Sequence, residues 1–171
     1  YSAYEPEQIC VDLKENPGTY HFGKSMIQFE EGNYEAAIEH ADIAINHGQF
    51  ASLFVRSQAK EKILDFKGAI EDLQDVKLFM NVCRLDTFRI DLSLASMMIQ
   101  TGEYHAAKRI LDLQSDYEEV KIGGHGEFLY AEIYYKLNSF THSKWHCERA
   151  IDDSYRYALL LQARILKEEG K

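Results

Sequence analysis

Four segments of this chain copy one another: Gly32-Asn33-Tyr34-Glu35-Ala36-Ala37-Ile38, Leu64-Asp65-Phe66-Lys67-Gly68-Ala69-Ile70, Gly102-Glu103-Tyr104-His105-Ala106-Ala107-Lys108 and Asn138-Ser139-Phe140-Thr141-His142-Ser143-Lys144. In each, an aromatic residue is followed three positions later by a small one. The small residues Ala37, Ala69, Ala107 and Ser143 stand 32, 38 and 36 residues apart, and twelve positions before them stand Ser25, Ser57, Ala95 and Ala131, small again. A period in the thirties built from these residue types calls for a two-helix unit that cannot bury its apolar face alone and stacks on its neighbours.

The physical reason is steric. Two helices cross at about 8–10 Å only where small side chains meet, so the alanines and serines mark the crossings. Tyr34, Phe66, Tyr104 and Phe140 are expected to open the second helix of each pair and to fill the wedge between one pair and the next. Asn33, Asp65 and Ser139 suit an N-cap, and Gly32 and Gly102 suit the end of the preceding helix. Seven residues after the anchors come Ala44, Val76, Gln114 and Ala150, of which Gln114 alone breaks the apolar pattern. With only two prolines and ten glycines, the composition favours long helices over a turn-rich sheet.

With these positions in place, the chain resembles the tetratricopeptide-repeat family. The resemblance implies an all-α, right-handed superhelical solenoid of antiparallel helix pairs over residues 19–171. Its units fall at about 19–49, 50–85, 88–121 and 124–153, with the first helix of a fifth at 155–171, where Ala163 takes the small position and Gly170 the turn. Residues 1–18 read as the end of a preceding repeat or an N-terminal helix, closing at Glu15-Asn16-Pro17-Gly18. Leu64 and Asn138 depart from the family's turn glycine, and the link around Asn81 to Asp86 is longer than usual.

The resemblance also implies a function: a scaffold that holds a partner peptide or helix in a groove lined by first helices, or that self-associates in a multiprotein assembly. The groove positions carried over are Phe22, Met26, Phe54, Gln58, Arg89, Leu92, Ser96, Phe128, Glu132 and Tyr135. Phe22, Phe54, Leu92 and Phe128 recur at one register and form either an apolar docking stripe or part of the core. A co-chaperone that clamps an acidic chaperone tail is an alternative, although Arg89 is the one basic residue at the corresponding places. A regulatory domain of a larger enzyme is another. Uncovered terminal faces are expected to favour homo-oligomers.

No catalytic residue, metal or cofactor is expected. His142, His146 and Cys147 begin a zinc-like spacing, but no Glu follows His142 and Cys147 falls at an inward position. Gly123-Gly124-His125-Gly126 lacks the strand and the Lys-Ser or Lys-Thr of a phosphate loop and reads as a flexible connection. Trp145 is either an anchor on the outer face or packed on the fifth unit. The net charge of −9 disfavours nucleic acid. No apolar run approaches the roughly eighteen residues of a membrane span. Cys10, Cys83 and Cys147 are expected as reduced thiols in a helical core, which places the protein in the cytoplasm or nucleus.

Overall fold

The computed structural model describes residues 15–83, 86–115 and 122–170. Every regular element among them is an α-helix: α1 (Pro17–Glu30), α2 (Tyr34–Asn46), α3 (Ser52–Lys62), α4 (Phe66–Val82), α5 (Phe88–Gln100), α6 (Tyr104–Ser115), α7 (Gly123–Lys136), α8 (Phe140–Asp152) and α9 (Ala158–Glu169). The chain divides into two compact units between Leu85 and Asp86. In the first, α1 packs on α2, α2 on α3 and α3 on α4, while the first helices α1 and α3 also touch. In the second, the same order runs from α5 to α9, with α5 against α7 and α7 against α9. Each unit is therefore a stack of adjacent helix pairs.

The small residues lie where the helices are closest. Ser25 and Ala37, Ser57 and Ala69, Ala95 and Ala107, Ala131 and Ser143 all have zero exposure. A buried serine must satisfy its hydroxyl, and these do so against helix carbonyls. Ser25 Oγ donates to the Phe22 carbonyl and Ser57 Oγ to the Phe54 carbonyl, both at 2.7 Å. Ser143 Oγ reaches across the pair to the Ala131 carbonyl at 2.7 Å, so it ties the crossing as well as fitting it.

Tyr34, Phe66, Tyr104 and Phe140 are the first residues of α2, α4, α6 and α8. Two of them do something other than fill a wedge between pairs. Tyr34 lies 5.6 Å from Phe29 and Phe140 lies 5.8 Å from Tyr135, each covering the turn of its own pair.

The turns between first and second helices share one closure. After α1 the Gly32 amide donates to Phe29 and the Asn33 amide to Gln28, and the same two bonds recur at Leu64–Asp65, Gly102–Glu103 and Asn138–Ser139. This is the Schellman arrangement, whose central residue takes a left-handed backbone. Gly32 and Gly102 do so at φ of 83° and 84° at little steric cost, whereas Leu64 and Asn138 adopt φ of 65° and 57° with a side chain. Of the expected N-caps, Asp65 caps with its side chain by accepting from the Gly68 amide. The Asn33 amide turns instead to Gln28 and Glu31, and the Ser139 hydroxyl meets His142.

Several expectations need correction. Glu15 is helical and Asn16 is not, while Pro17 and Gly18 already belong to the first turn of α1; residues 1–14, with Cys10, lie outside the described ones, as do 116–121 at the end of the third unit. Gly123-Gly124-His125-Gly126 is the opening of α7, not a loop. A Cβ at Gly124 would stand 2.8 Å from the Tyr155 Cβ and 3.2 Å from the carbonyls of Ala150 and Asp153, so glycine lets the end of α8 close onto α7. The last helix starts at Ala158, and Gly170 keeps a right-handed backbone with φ −80°. Ala163 is exposed because no second helix covers α9 among the described residues. Cys147 is fully buried, but Cys83 is exposed at the end of α4.

Polar groups bury themselves between helices in both units. Asp72 on α4, 2 % exposed, accepts a forked pair from Arg56 on α3 at 2.6 and 2.9 Å and a third bond from Lys60 at 2.9 Å. Arg56 also reaches Asp42 on α2 at 2.5 Å, so one guanidinium links three helices. In the second unit Asp91, 1 % exposed, accepts from Gln114 at 2.5 Å and from Thr87 at 3.1 Å. That bond is why Gln114 breaks the apolar pattern: the position serves a buried carboxylate.

Two predictions follow from this packing. An L-residue in the left-handed region costs about 1–2 kcal/mol, while glycine gives back part through unfolded-chain entropy, about 0.5–1 kcal/mol. Leu64→Gly, at a side chain 72 % exposed, should therefore stabilise the protein by roughly 0.5–1 kcal/mol in urea unfolding, and a destabilised variant would contradict the turn geometry. Asp72→Ala strands two cations around a buried gap and is expected to cost about 3–5 kcal/mol. Asp42→Ala, whose side chain is 49 % exposed, should cost less than about 1 kcal/mol. Equal losses from the two would show that burial of the Asp72 pair is not what matters.

Candidate partner-binding site

The groove positions carried over from the repeat do not share one environment. In the first unit, α1 presents half-buried Phe22 and Met26, the latter 43 % exposed. The touching helix α3 presents Phe54, 38 % exposed, and half-buried Gln58. Apolar area on two adjacent first helices is thus left in contact with water. Exposed patches of this kind mark interaction surfaces when they are contiguous.

In the second unit the equivalent residues turn inward. Leu92 is 8 % exposed. Phe128 and Tyr135 pack on the cluster of Ala131, Cys147, Leu161 and Ile165, and the Phe128 ring lies 5.1 Å from Tyr155. The expected apolar stripe through Phe22, Phe54, Leu92 and Phe128 is therefore not an exposed feature at its last two positions. The tyrosine that leads into α9 covers Phe128, a contact that the repeat spacing does not encode. Arg89 is exposed and Ser96 half-buried on α5. Burial raises the Glu132 carboxyl, against the opposing pull of Lys136 and Arg164.

A second concave feature went unread in the sequence. Between α6, α7 and α8 lies a cleft of about 370 Å³ lined by Lys108, Asp112, Tyr130, Tyr134, Trp145, His146 and Arg149, among others. Tyr130 and Tyr134 are one turn apart on α7, and His142 and His146 one turn apart on α8, so the two pairs face each other. The rings interleave: Tyr134 stands 5.1 Å from His142 and 5.4 Å from His146, and His146 stands 4.9 Å from Tyr130. Trp145 is 52 % exposed at the rim, with the Arg149 guanidinium 4.6 Å from its ring centre, and is not buried against α9 as one reading had it. The tyrosine spacing was the available signal, since four rings at one-turn intervals on paired helices can stack.

The charges in this cleft are matched. Glu127 accepts from Arg149 Nε at 2.8 Å and faces His146 Nδ1 at 2.7 Å. Burial alone would raise its carboxyl, but those two partners together hold it below the usual range. Asp112 binds Lys108 at 2.8 Å and accepts the Tyr130 hydroxyl at 2.8 Å. Burial, with the charge of Asp112 added, holds that phenol above its ordinary value. Burial also pushes the Cys147 thiol up to about 11, which leaves it a poor nucleophile. Among the described residues, no three or more His, Cys, Asp or Glu side chains converge as metal ligands would, and His142 and His146 are engaged with tyrosines. The arrangement offers aromatic faces and paired charges suited to contact.

Comparisons with known proteins agree at the level of fold. No family model and no curated protein sequence matches the chain. Among solved structures, the chain is similar to MamA, residues 41 to the end, from Desulfovibrio magneticus RS-1. The TM-score is 0.67 at 12 % sequence identity, covering 90 % of this chain and 96 % of that one. MamA is a helical-repeat protein of the tetratricopeptide type, and the likeness extends to this chain's all-helical, pairwise-packed architecture.

Proposed function

We propose that the protein is a tetratricopeptide-type scaffold that binds other proteins through its first-helix surface, with Phe22, Met26, Phe54 and Gln58 forming the contact in the first unit. The observation that carries this reading is that Met26 and Phe54, both at groove positions of the repeat, are left 43 % and 38 % exposed on first helices that touch. An amphipathic helix or extended segment with an apolar residue every turn would cover them. The groove positions of the second unit contribute less, because Leu92, Phe128 and Tyr135 are occupied in packing. No helix among the described residues is long and apolar enough to cross a membrane.

Met26→Ser together with Phe54→Ser should reduce partner capture at least tenfold in quantitative affinity purification while leaving the helical circular dichroism unchanged. Phe128→Ser should instead destabilise the fold by about 2–4 kcal/mol, read as a lower unfolding midpoint, because its partly buried ring packs on the cluster around Cys147 and Ile165. Full partner recovery by the Met26/Phe54 double variant would refute the first-unit surface.

Self-association is a second reading, favoured by α9. Ala163 stands in the register of buried Ala131 yet is exposed, flanked by Leu159, Leu160 and Leu166 at 52, 66 and 51 %. A helix seated there would meet the same small-residue crossing that α8 finds on α7. Light scattering over a concentration series should show growth beyond the 19.8 kDa monomer, and Ala163→Glu should suppress it. A constant monomer mass at every concentration sinks this reading.

A further inference from the structure

Seven histidines are present in the chain, and two of them meet across the first helix pair. His21 on α1 and His40 on α2 bring their Nδ1 atoms to 2.9 Å. Their ring centres are 5.1 Å apart with planes 29° from parallel. The centre-to-centre distance exceeds the N···N distance by about two ring radii, so the nitrogens face each other along the line between the rings. Such a contact holds one proton: one Nδ1 must donate and the other must accept. The geometry points to a one-proton latch between α1 and α2, which opens when acid adds a second proton to the pair.

The chemistry around the pair supports this. Tyr20 meets His21 edge-on at 5.2 Å, and Lys24 stands over the Tyr20 ring. His47, which caps the end of α2, adds a third imidazole whose charge acts on His21. Asp42, two residues from His40, is committed to Arg56 of α3, which in turn holds Asp72 of α4. The side chains that bear on His21 are thus basic or neutral; of the carboxylates flanking His40 in sequence, Asp42 is bound to Arg56 and Glu39 is exposed. Burial, and then the charges of His40 and His47, hold the His21 imidazole below its ordinary value.

The sign is definite. A histidine with a folded-state value below its unfolded value takes up protons more readily when unfolded. Its site therefore loses stability as pH falls through 6.5 and keeps it above. Adding the proton converts N–H···N into two N–H groups pointed at each other, so attraction becomes repulsion at the same contact. Because α1 also carries Phe22 and Met26, opening would withdraw half of the proposed first-unit surface. The test needs no partner and stands apart from that reading.

Amide hydrogen exchange at pH 7.5 and 5.5, corrected for intrinsic rates, measures the latch directly. Protection of α1 and the facing turns of α2 is expected to drop at least fivefold on acidification, with α5, which carries no histidine, unchanged. His21→Leu combined with His40→Leu replaces the proton-sharing contact by an apolar one and should make α1 protection independent of pH. Wild-type protection that holds at pH 5.5, or the same drop in the double-leucine variant, overturns the proposal. Should that variant fold poorly, nitrogen-15 imidazole spectra of the wild type decide. One protonated and one bare Nδ1 at pH 7.5, with His21 titrating below 6.5, support the latch; two bare Nδ1 atoms, or His21 titrating at or above 6.5, overturn it.

Discussion

The closest approach between the two helices of each pair controls the rest of the architecture. At Ser25 and Ala37, and at the three equivalent pairs down the chain, nothing larger than a methyl or hydroxymethyl group separates the backbones, and every one of these residues has zero exposure. Interaxial distance is set by the side chains at the contact, so a residue with a longer side chain would push the pair apart. Close approach also brings carbonyls within reach of small hydroxyls, which is how Ser143 can donate to the carbonyl of Ala131 on the opposite helix. The crossing is thus both a steric gap and a hydrogen-bonding site. Residues on either side of it are oriented by that single contact.

Small residues alone do not fix the order of pairs in a stack, since alanine fits any crossing. The buried acids supply that discrimination. Arg56 can satisfy Asp72 and Asp42 together only if α2, α3 and α4 lie in one arrangement. The second unit solves the same problem with Asp91 and Gln114, a carboxylate with an amide. A misplaced stack would leave a charge without its partner in the interior, a cost several times that of a lost methyl contact. The acids therefore select the stacking that the apolar contacts merely permit.

Much of this was legible in the sequence, because the periodicity is a steric requirement written in residue size. The starts of α2, α4, α6 and α8 coincide with the four aromatic residues, and the crossing residues of the four helix pairs are all buried, while Ala163 on α9 is not. Turn chemistry was harder to read. Leu64, Asn138 and Ser154 take the left-handed backbone that glycine takes elsewhere, and only the hydrogen bonds of the closure show it. The glycines before His125 pointed the wrong way for a related reason: glycine marks flexibility or close approach, and the packing of Tyr155 on Gly124 decides for the second. Surface exposure was the least legible property. Phe54 and Phe128 occupy one register, yet Phe128 meets Tyr155 while Phe54 remains 38 % open, a difference set by residues outside the repeat pattern.

That last contrast explains how a repeating stack can carry a local function. The crossing positions tolerate little change, so the framework stays the same from pair to pair while the positions around it are released from packing duty. In the first unit that freedom leaves Met26 and Phe54 open and sets two imidazoles against each other between α1 and α2. In the second it builds a ladder of Tyr134, His142, His146 and Tyr130 between α7 and α8. Ring stacking contributes about 0.5–1.5 kcal/mol per pair beyond burial, so the α7–α8 pair is held by more than aliphatic contacts. The exposed apolar side chains Met26 and Phe54 in the first unit and Trp145 at the rim of the ladder all lie outside the crossings, where packing leaves the residue type free to vary.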